Sequence, residues 1–212
     1  MKKYQFKKAL PIWAADGEKL NRCLLFETFV SKTEGLVLKM AGHFSYELFI
    51  NGKFVHYGPA RAGRGHFKVD EIKLDKYLSE EKNRILVLVN GFNCFGYQTA
   101  FAPSFLCAEI LCGENVLTYT GSEGWKVYEY EAKHRKTSRY SIQRYFTEAY
   151  DFENHKPYEG SEIGFSAVDI KNFIERDVSL PALEEDEILG FVEGGSVFYD
   201  EKFEYVPHDV TT

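Results

Sequence analysis

The chain has 212 residues, 44% hydrophobic and 27% charged, with a formal net charge of −6, the composition of an ordinary globular protein. That acidic balance argues against a nucleic-acid partner, which normally meets a basic face. No continuous apolar run is long enough for a membrane helix, so a membrane partner is not expected either.

The chain starts MKKYQFKKALPIWAADGEK, which is basic but lacks the apolar stretch of a secretory signal. From there strand-like runs alternate with turn signals, the pattern of an all-β protein. Eighteen Phe and 14 Tyr against 6 Pro agree, because aromatic side chains suit a pleated, half-buried surface. Arg22 to Val30 and Leu36 to Ala41 are expected to pair across the polar turn SKTEG. In the next run Phe44, Tyr46, Leu48 and Ile50 share one face, with Phe49 the exception on the other. Asn51-Gly52 then predicts a type I′ hairpin into KFVHYG, since both residues tolerate positive φ.

GPARAGRGHF reads as an irregular glycine-rich loop, and Val69 to Leu74 as the strand after it. DKYLSEEKN is expected to form one helical turn or a tight loop. Arg84 to Phe92, RILVLVNGF, is a near-continuous aliphatic run of strand length, which predicts a central strand covered on both faces. Ser104 to Cys112 and Asn115 to Tyr119 predict another hairpin across GEN. In GWKVYEY, Trp125 and Val127 are placed inward with Glu129 at the strand end, the opposite facing staying open. The basic stretch Lys133 to Arg144 lacks a stacking platform and reads as a solvated loop. Tyr145 to Asp151 is expected to be a further strand, and Val168 to Arg176 a short helix or an extended segment. The acidic EEDEI and the alternating SVFYDEKFEYV close the chain.

Together these runs predict an all-β fold, an antiparallel β-sandwich of the jelly-roll or galactose-binding-like kind with a C-terminal strap. The expected division is a sandwich module over residues 1–160 and a strap or linker over 161–212. At this length folding buries roughly 70% of the unfolded chain's surface, enough for a self-sufficient core. Cys23, Cys94, Cys107 and Cys112 show neither CxxC nor Cys/His metal spacing, which favours a reduced, cytoplasmic setting with no metal or cofactor.

No HExxH, P-loop, GxSxG or Rossmann fingerprint occurs. The residue types that remain suit sugar binding: aromatic faces for C–H patches and planar polar groups for hydroxyls. Two loops at the rim of the sandwich supply them, one with Arg61, Arg64 and His66, the other with Asn90, Asn93, Tyr97 and Gln98. The competing expectation is that these side chains merely tie the loops to the sandwich or to a neighbouring domain. A small glycosidase would instead need two carboxylates facing one cleft, which sequence spacing does not reveal.

The order of these segments resembles a known family. YELFINGKFVHYGPARAGRGHFKVDEIKLDKYL, then NRILVLVNGFNCFGY, then GWKVYEY, is similar to the N-terminal β-sandwich module of bacterial α-L-rhamnosidases. The family's hairpin Y-x-L-x-I-N-G-K-x-V corresponds to Tyr46 to Val55, its G-P-A-R to Gly58 to Arg61, and its N-x-I-x-V-x-V to Asn83 to Val89. Its Y-D-x-x-x-L-x-x-Y-L corresponds to Val69 to Leu78, with Val69 in place of Tyr, and FTEAYDF resembles its E-x-Y-D-A-R with Phe152-Glu153 in place of Ala-Arg. The wider group of galactose-binding-like sandwiches that open β-galactosidase and β-glucuronidase type enzymes is the alternative. The resemblance implies a non-catalytic module of a glycoside hydrolase acting on rhamnose-containing glycans. Its implied partners are a rhamnoside or other glycan and a helical-barrel catalytic domain of the same polypeptide. Such a barrel of about twelve helices at about 11 residues each needs more than ~130 helical residues. This chain has one candidate helix, so no catalytic residue is implied. Stand-alone carbohydrate binding is the second reading.

Overall fold

The computed structural model describes residues 2–190 except 80, 97–99, 140, 142, 184, 185 and 188. The described residues form thirteen strands. In chain order these are β1 (Ile12–Ala14), β2 (Arg22–Ser31), β3 (Leu36–His43), β4 (Ser45–Ile50), β5 (Lys53–Gly58), β6 (Phe67–Lys73) and β7 (Lys82–Gly91). There follow β8 (Phe105–Cys112), β9 (Asn115–Tyr119), β10 (Lys126–Glu129), β11 (Ser161–Ile163), β12 (Phe165–Ala167) and β13 (Phe173–Glu175). The helical turn expected after β6 is a single 3-10 turn, Asp75–Tyr77, and no α-helix occurs among the described residues.

The strands make two sheets, ordered β12-β1-β8-β3-β6-β13, with β9 also on β8, and β11-β10-β2-β7-β4-β5. The expected antiparallel sandwich is present, with one parallel pair, β13 on β6. The Asn51-Gly52 hairpin forms as predicted, with φ of 51° and 77° at its two turn residues. Of the run Arg84 to Phe92, all but Phe92 lies within β7, which is central in its sheet between β2 and β4.

Alternation explains the facing. Tyr46, Leu48 and Ile50 of β4 enter the space between the sheets with Leu24 and Phe26, Val87 and Val89, Leu38 and Met40, and the two tryptophans Trp13 and Trp125. Trp125 and Val127 therefore point inward, as expected, and Glu129 at the strand end meets the buried Arg22 guanidinium, Oε2 to Nη2 2.5 Å. Each fully buried aliphatic side chain of this layer contributes about 1.5–3 kcal/mol.

Both sheets are apolar on their outer faces as well, and irregular chain covers them. Tyr130 and Ala132 pack on Cys23, Leu25, Phe49, Leu86 and Leu88, while Phe6, Ala9 and Phe173 pack on Ala41, Val69, Phe105 and Cys107. Phe49 is the exception to the β4 alternation for this reason: its outer face is covered, with the Tyr158 ring at 4.4 Å. Residues 161–175 add an edge strand to each sheet, β11 on β10 and β12 on β1, and end in β13. The segment from Val168 to Arg176 is thus not helical: Phe173–Glu175 is strand and the residues before it are irregular.

Three expectations are corrected. β2 and β3 do not pair: β2 runs ten residues along β7, and β3 pairs with β8 and β6 in the other sheet. β2 instead takes β7 on one edge and the short β10 on the other, and the SKTEG turn crosses between sheets. Tyr145 to Asp151 is no strand. It is held by isolated bridges at Phe146 and Tyr150 and by ring stacking, Tyr145 on Phe92 at 4.1 Å and 12°. The basic stretch is not simply solvated either. Lys133 and Thr137 are buried, and Arg135 and Arg139 donate to the carbonyls of Leu20 and Phe95.

Candidate functional site

At one end of the sandwich the chain leaves β5 at Gly58 and loops back to β6. Gly58 lies against the Tyr46 ring, and a Cβ there would stand 2.4 Å from that ring's Cζ, so a side chain would displace the loop. The loop turns through a Gly63 carbonyl accepting from His66 N–H at 3.0 Å, and Gly65 takes φ of 72°. Its far wall is built from the ends of β4 and β7 and from the covering segment near Tyr145. Between them is a cleft of about 490 Å³.

Arg61, Arg64, His66 and Asn90, four of the seven residues singled out in the sequence, line this one cleft, and the half-buried Asn93 is not among its lining residues. Tyr97 and Gln98 lie outside the described residues. The arginines do not tie the loop down: both are exposed, and neither has an ion-pair partner among the described residues. His66 is half-buried, with Nδ1 3.1 Å from the Arg64 carbonyl. Asn90 is committed further in, where its Oδ1 accepts from Lys133 Nζ at 2.7 Å.

Lys133 organises the inner end. Its ammonium is buried, pairs with Glu148 Oε1 at 3.1 Å, and lies 6.0 Å from the Phe92 ring centre. Glu148 also accepts from the Tyr150 hydroxyl at 3.2 Å. Glu47, from the polar face of β4, lines the same cleft. Burial pushes its carboxyl above the ordinary range, the Glu148 charge adds to this, and Lys133 partly opposes it. Two carboxylates thus face one cleft. Burial also holds the His43 imidazole down at about 4, so it is neutral at pH 7. Its Nε2 and the Tyr145 hydroxyl find no hydrogen-bond partner among the described residues.

Tyr57 presents a ring at the mouth, 52% exposed. Phe95 and Phe101 stack with centres 5.1 Å apart, and Phe101 stands in the chain between Ala100 and Ala102 of the lining. Sequence reasoning missed Lys133, Glu47, Glu148 and Tyr57. Only Tyr57 carried a local signal, as an outward aromatic next to the arginine loop. Among the described residues no cluster of His, Cys, Asp and Glu could hold a metal ion.

Fold and site define a β-sandwich module with a polar cleft rimmed by aromatic rings. No protein-family profile and no curated protein matches the sequence. Among solved structures the chain is similar to the GH78 family rhamnosidase of Bacillus sp. GL1, with a TM-score of 0.74 and 20% identity over 85% of this chain and 20% of that one. It is similar to an α-L-rhamnosidase from Aspergillus terreus at TM-score 0.56 and 15% identity, over 78% of this chain and 22% of that one. A third, from Dictyoglumus thermophilum, matches at TM-score 0.53 and 15% identity, over 81% of this chain and 21% of that one. At these identities the likeness is one of fold, and the chain spans about a fifth of each enzyme's length. The sandwich is one that α-L-rhamnosidases contain.

Proposed function

We propose that this chain is a non-catalytic, carbohydrate-binding accessory module of an α-L-rhamnosidase-like glycoside hydrolase acting on rhamnose-containing glycans. The cleft carries this reading: Arg61 and Arg64 stand without ion-pair partners beside an exposed Tyr57 ring, on a fold similar to part of a rhamnosidase. The ring offers a face for sugar C–H groups, and the guanidinium forks donate to ring oxygens and hydroxyls. In the longer polypeptide the sandwich packs beside a helical-barrel catalytic domain and helps to shape or feed its cleft.

Calorimetric titration with methyl α-L-rhamnoside, rhamnosyl oligosaccharides, galactosides and glucuronides tests the reading. Saturable binding that is weakened in Arg64→Ala and in Tyr57→Ala is expected. Flat titrations across the set contradict it.

One observation favours a second reading, a glycosidase in its own right. Glu47 and Glu148 share the cleft, and burial holds the Glu47 carboxyl above its ordinary range, as a general acid of a glycosidase requires. Hydrolysis of p-nitrophenyl α-L-rhamnoside by this chain, abolished in Glu47→Gln, would select that reading. The accessory role predicts no hydrolysis.

A further inference from the structure

We infer that the cleft selects glycans bearing an anionic group, a uronate carboxylate or a sulfate ester, with Arg61 and Arg64 as its receptor. This rests on the cleft being a glycan site, and names the class of glycan.

The argument starts from how the chain uses its arginines. Arg22 is paired with Asp16 and Glu129, Arg84 with Glu27, and Arg176 with Asp70, all at 2.5 Å. Arg135 and Arg139 donate to backbone carbonyls. Arg61 and Arg64 have neither kind of partner among the described residues, although the chain as a whole carries a net charge of −6. Their own loop, PARAGRGH, contains no acidic residue to serve as counterion.

The acidic groups of the cleft do not serve either. Glu148 is held by Lys133 and Tyr150, and neither it nor Glu47 lies within ion-pair distance of an arginine of the loop. Lys68, the other cation of that wall, is taken by Asp177 at 2.5 Å. The loop therefore presents two uncompensated, permanently charged forks three residues apart on one wall.

Neutral hydroxyls return only part of the hydration that such a fork gives up. A carboxylate or sulfate returns it through charge-assisted, bidentate hydrogen bonds, roughly twice as strong as neutral ones. The exposed Tyr57 ring beside them supplies the face for the sugar that carries the anion. The ligand class that satisfies both features is an acidic saccharide.

Three matched disaccharides test this: α-L-rhamnosyl-glucose, α-L-rhamnosyl-glucuronate and α-L-rhamnosyl-glucose 6-sulfate, each titrated calorimetrically into the chain. The acidic members are expected to bind about tenfold tighter than the neutral one at low ionic strength, a difference of about 1.4 kcal/mol. Raising salt from about 0.05 M to about 0.5 M should shrink that advantage, because screening at these exposed side chains is strong. A uronate favoured over the sulfate identifies a planar carboxylate as the recognised group, and the reverse order identifies the sulfate ester. The double substitution Arg61→Gln/Arg64→Gln, checked for unchanged melting because both residues are exposed, should bring the acidic ligands' preference down to near unity. Equal affinity for all three ligands overturns the anion selection and leaves the glycan site standing. An acid preference that survives in the double variant overturns the assignment to these arginines. Binding of none overturns both.

Discussion

Asp70 is fully buried and sits where three elements meet. Its Oδ2 accepts from the Tyr46 hydroxyl of β4 and faces His56 Nε2 of β5 at 2.9 Å, and its Oδ1 accepts from Arg176 Nη1 at 2.5 Å. Arg176 follows β13 and also donates to the carbonyls of Val178 and Ser179, so this one carboxylate anchors the chain beyond β13 to the sandwich. Replacing Asp70 by Asn keeps the volume but removes the charge, and turns an amide donor towards groups that are already donors. Arg176, with its side chain only 12% exposed, is then left uncompensated. Breaking a buried pair in this way costs about 3–5 kcal/mol. At about 2–4 °C per kcal/mol for a domain of this size, the melting temperature should fall by roughly 6–20 °C. The comparison is Glu162→Gln, which breaks the exposed, solvent-screened pair with Lys126 and should cost far less. Urea unfolding of the two variants decides. An Asp70→Asn loss no larger than the Glu162→Gln loss would refute the reasoning. The pH dependence gives a second check. Burial raises the Asp70 carboxyl, but hydrogen bonds from His56, Tyr46 and Arg176 outweigh it and hold it below the ordinary value. Its stabilisation is therefore complete above about pH 4 and fades as pH falls through the lower folded value, so the Asn variant should lose that part of the acid transition.

His43, held at about 4 by burial, makes a different acid prediction. Between about pH 6.5 and 4 the unfolded chain takes up a proton that the folded chain refuses, so stability falls with pH by up to about 3 kcal/mol. His43→Phe should flatten that slope in urea melts, and an unchanged slope would count against it. Glu109 is fully buried and accepts the backbone N–H groups of Lys7, Lys8 and Ala9 at 3.0–3.3 Å, so Glu109→Ala should free the N-terminal segment. A loss of about 2–3 kcal/mol is expected, with faster amide exchange at these residues; unchanged exchange there would contradict the assignment. Gly58→Ala should force Tyr46 aside and cost about 1–3 kcal/mol by overpacking. It should also weaken any ligand that depends on the arginine loop, which the same titrations would report.

Features set by neighbouring residues were legible in the sequence. Asn51-Gly52 dictates its hairpin because both backbones must be left-handed, and the aliphatic run in β7 needs cover on both faces wherever it lies. Arg61, Arg64 and His66 come together because one short loop carries them, and Asn90 joins them because β7 ends at the same rim. Features set by long-range pairing were not. Lys133 looked like part of a solvated basic run, yet its ammonium is buried by Asn90 and Glu148, 43 and 15 residues away. Glu47 reads as the polar face of an amphipathic strand until the segment bearing Glu148 folds over it. The assignment of β2 and β3 to different sheets depends on which long strands compete for β2's edges, and no turn residue encodes that competition.

The most direct measurement is an amide and arginine side-chain NMR titration of the nitrogen-15-labelled chain with methyl α-L-rhamnoside and its oligosaccharides. If the cleft is the glycan site, shifts concentrate on Gly63 to His66, Tyr57, Asn90 and the Nε–H groups of Arg61 and Arg64. Shifts confined to the outer sheet faces, or a spectrum that saccharide leaves untouched, would contradict it.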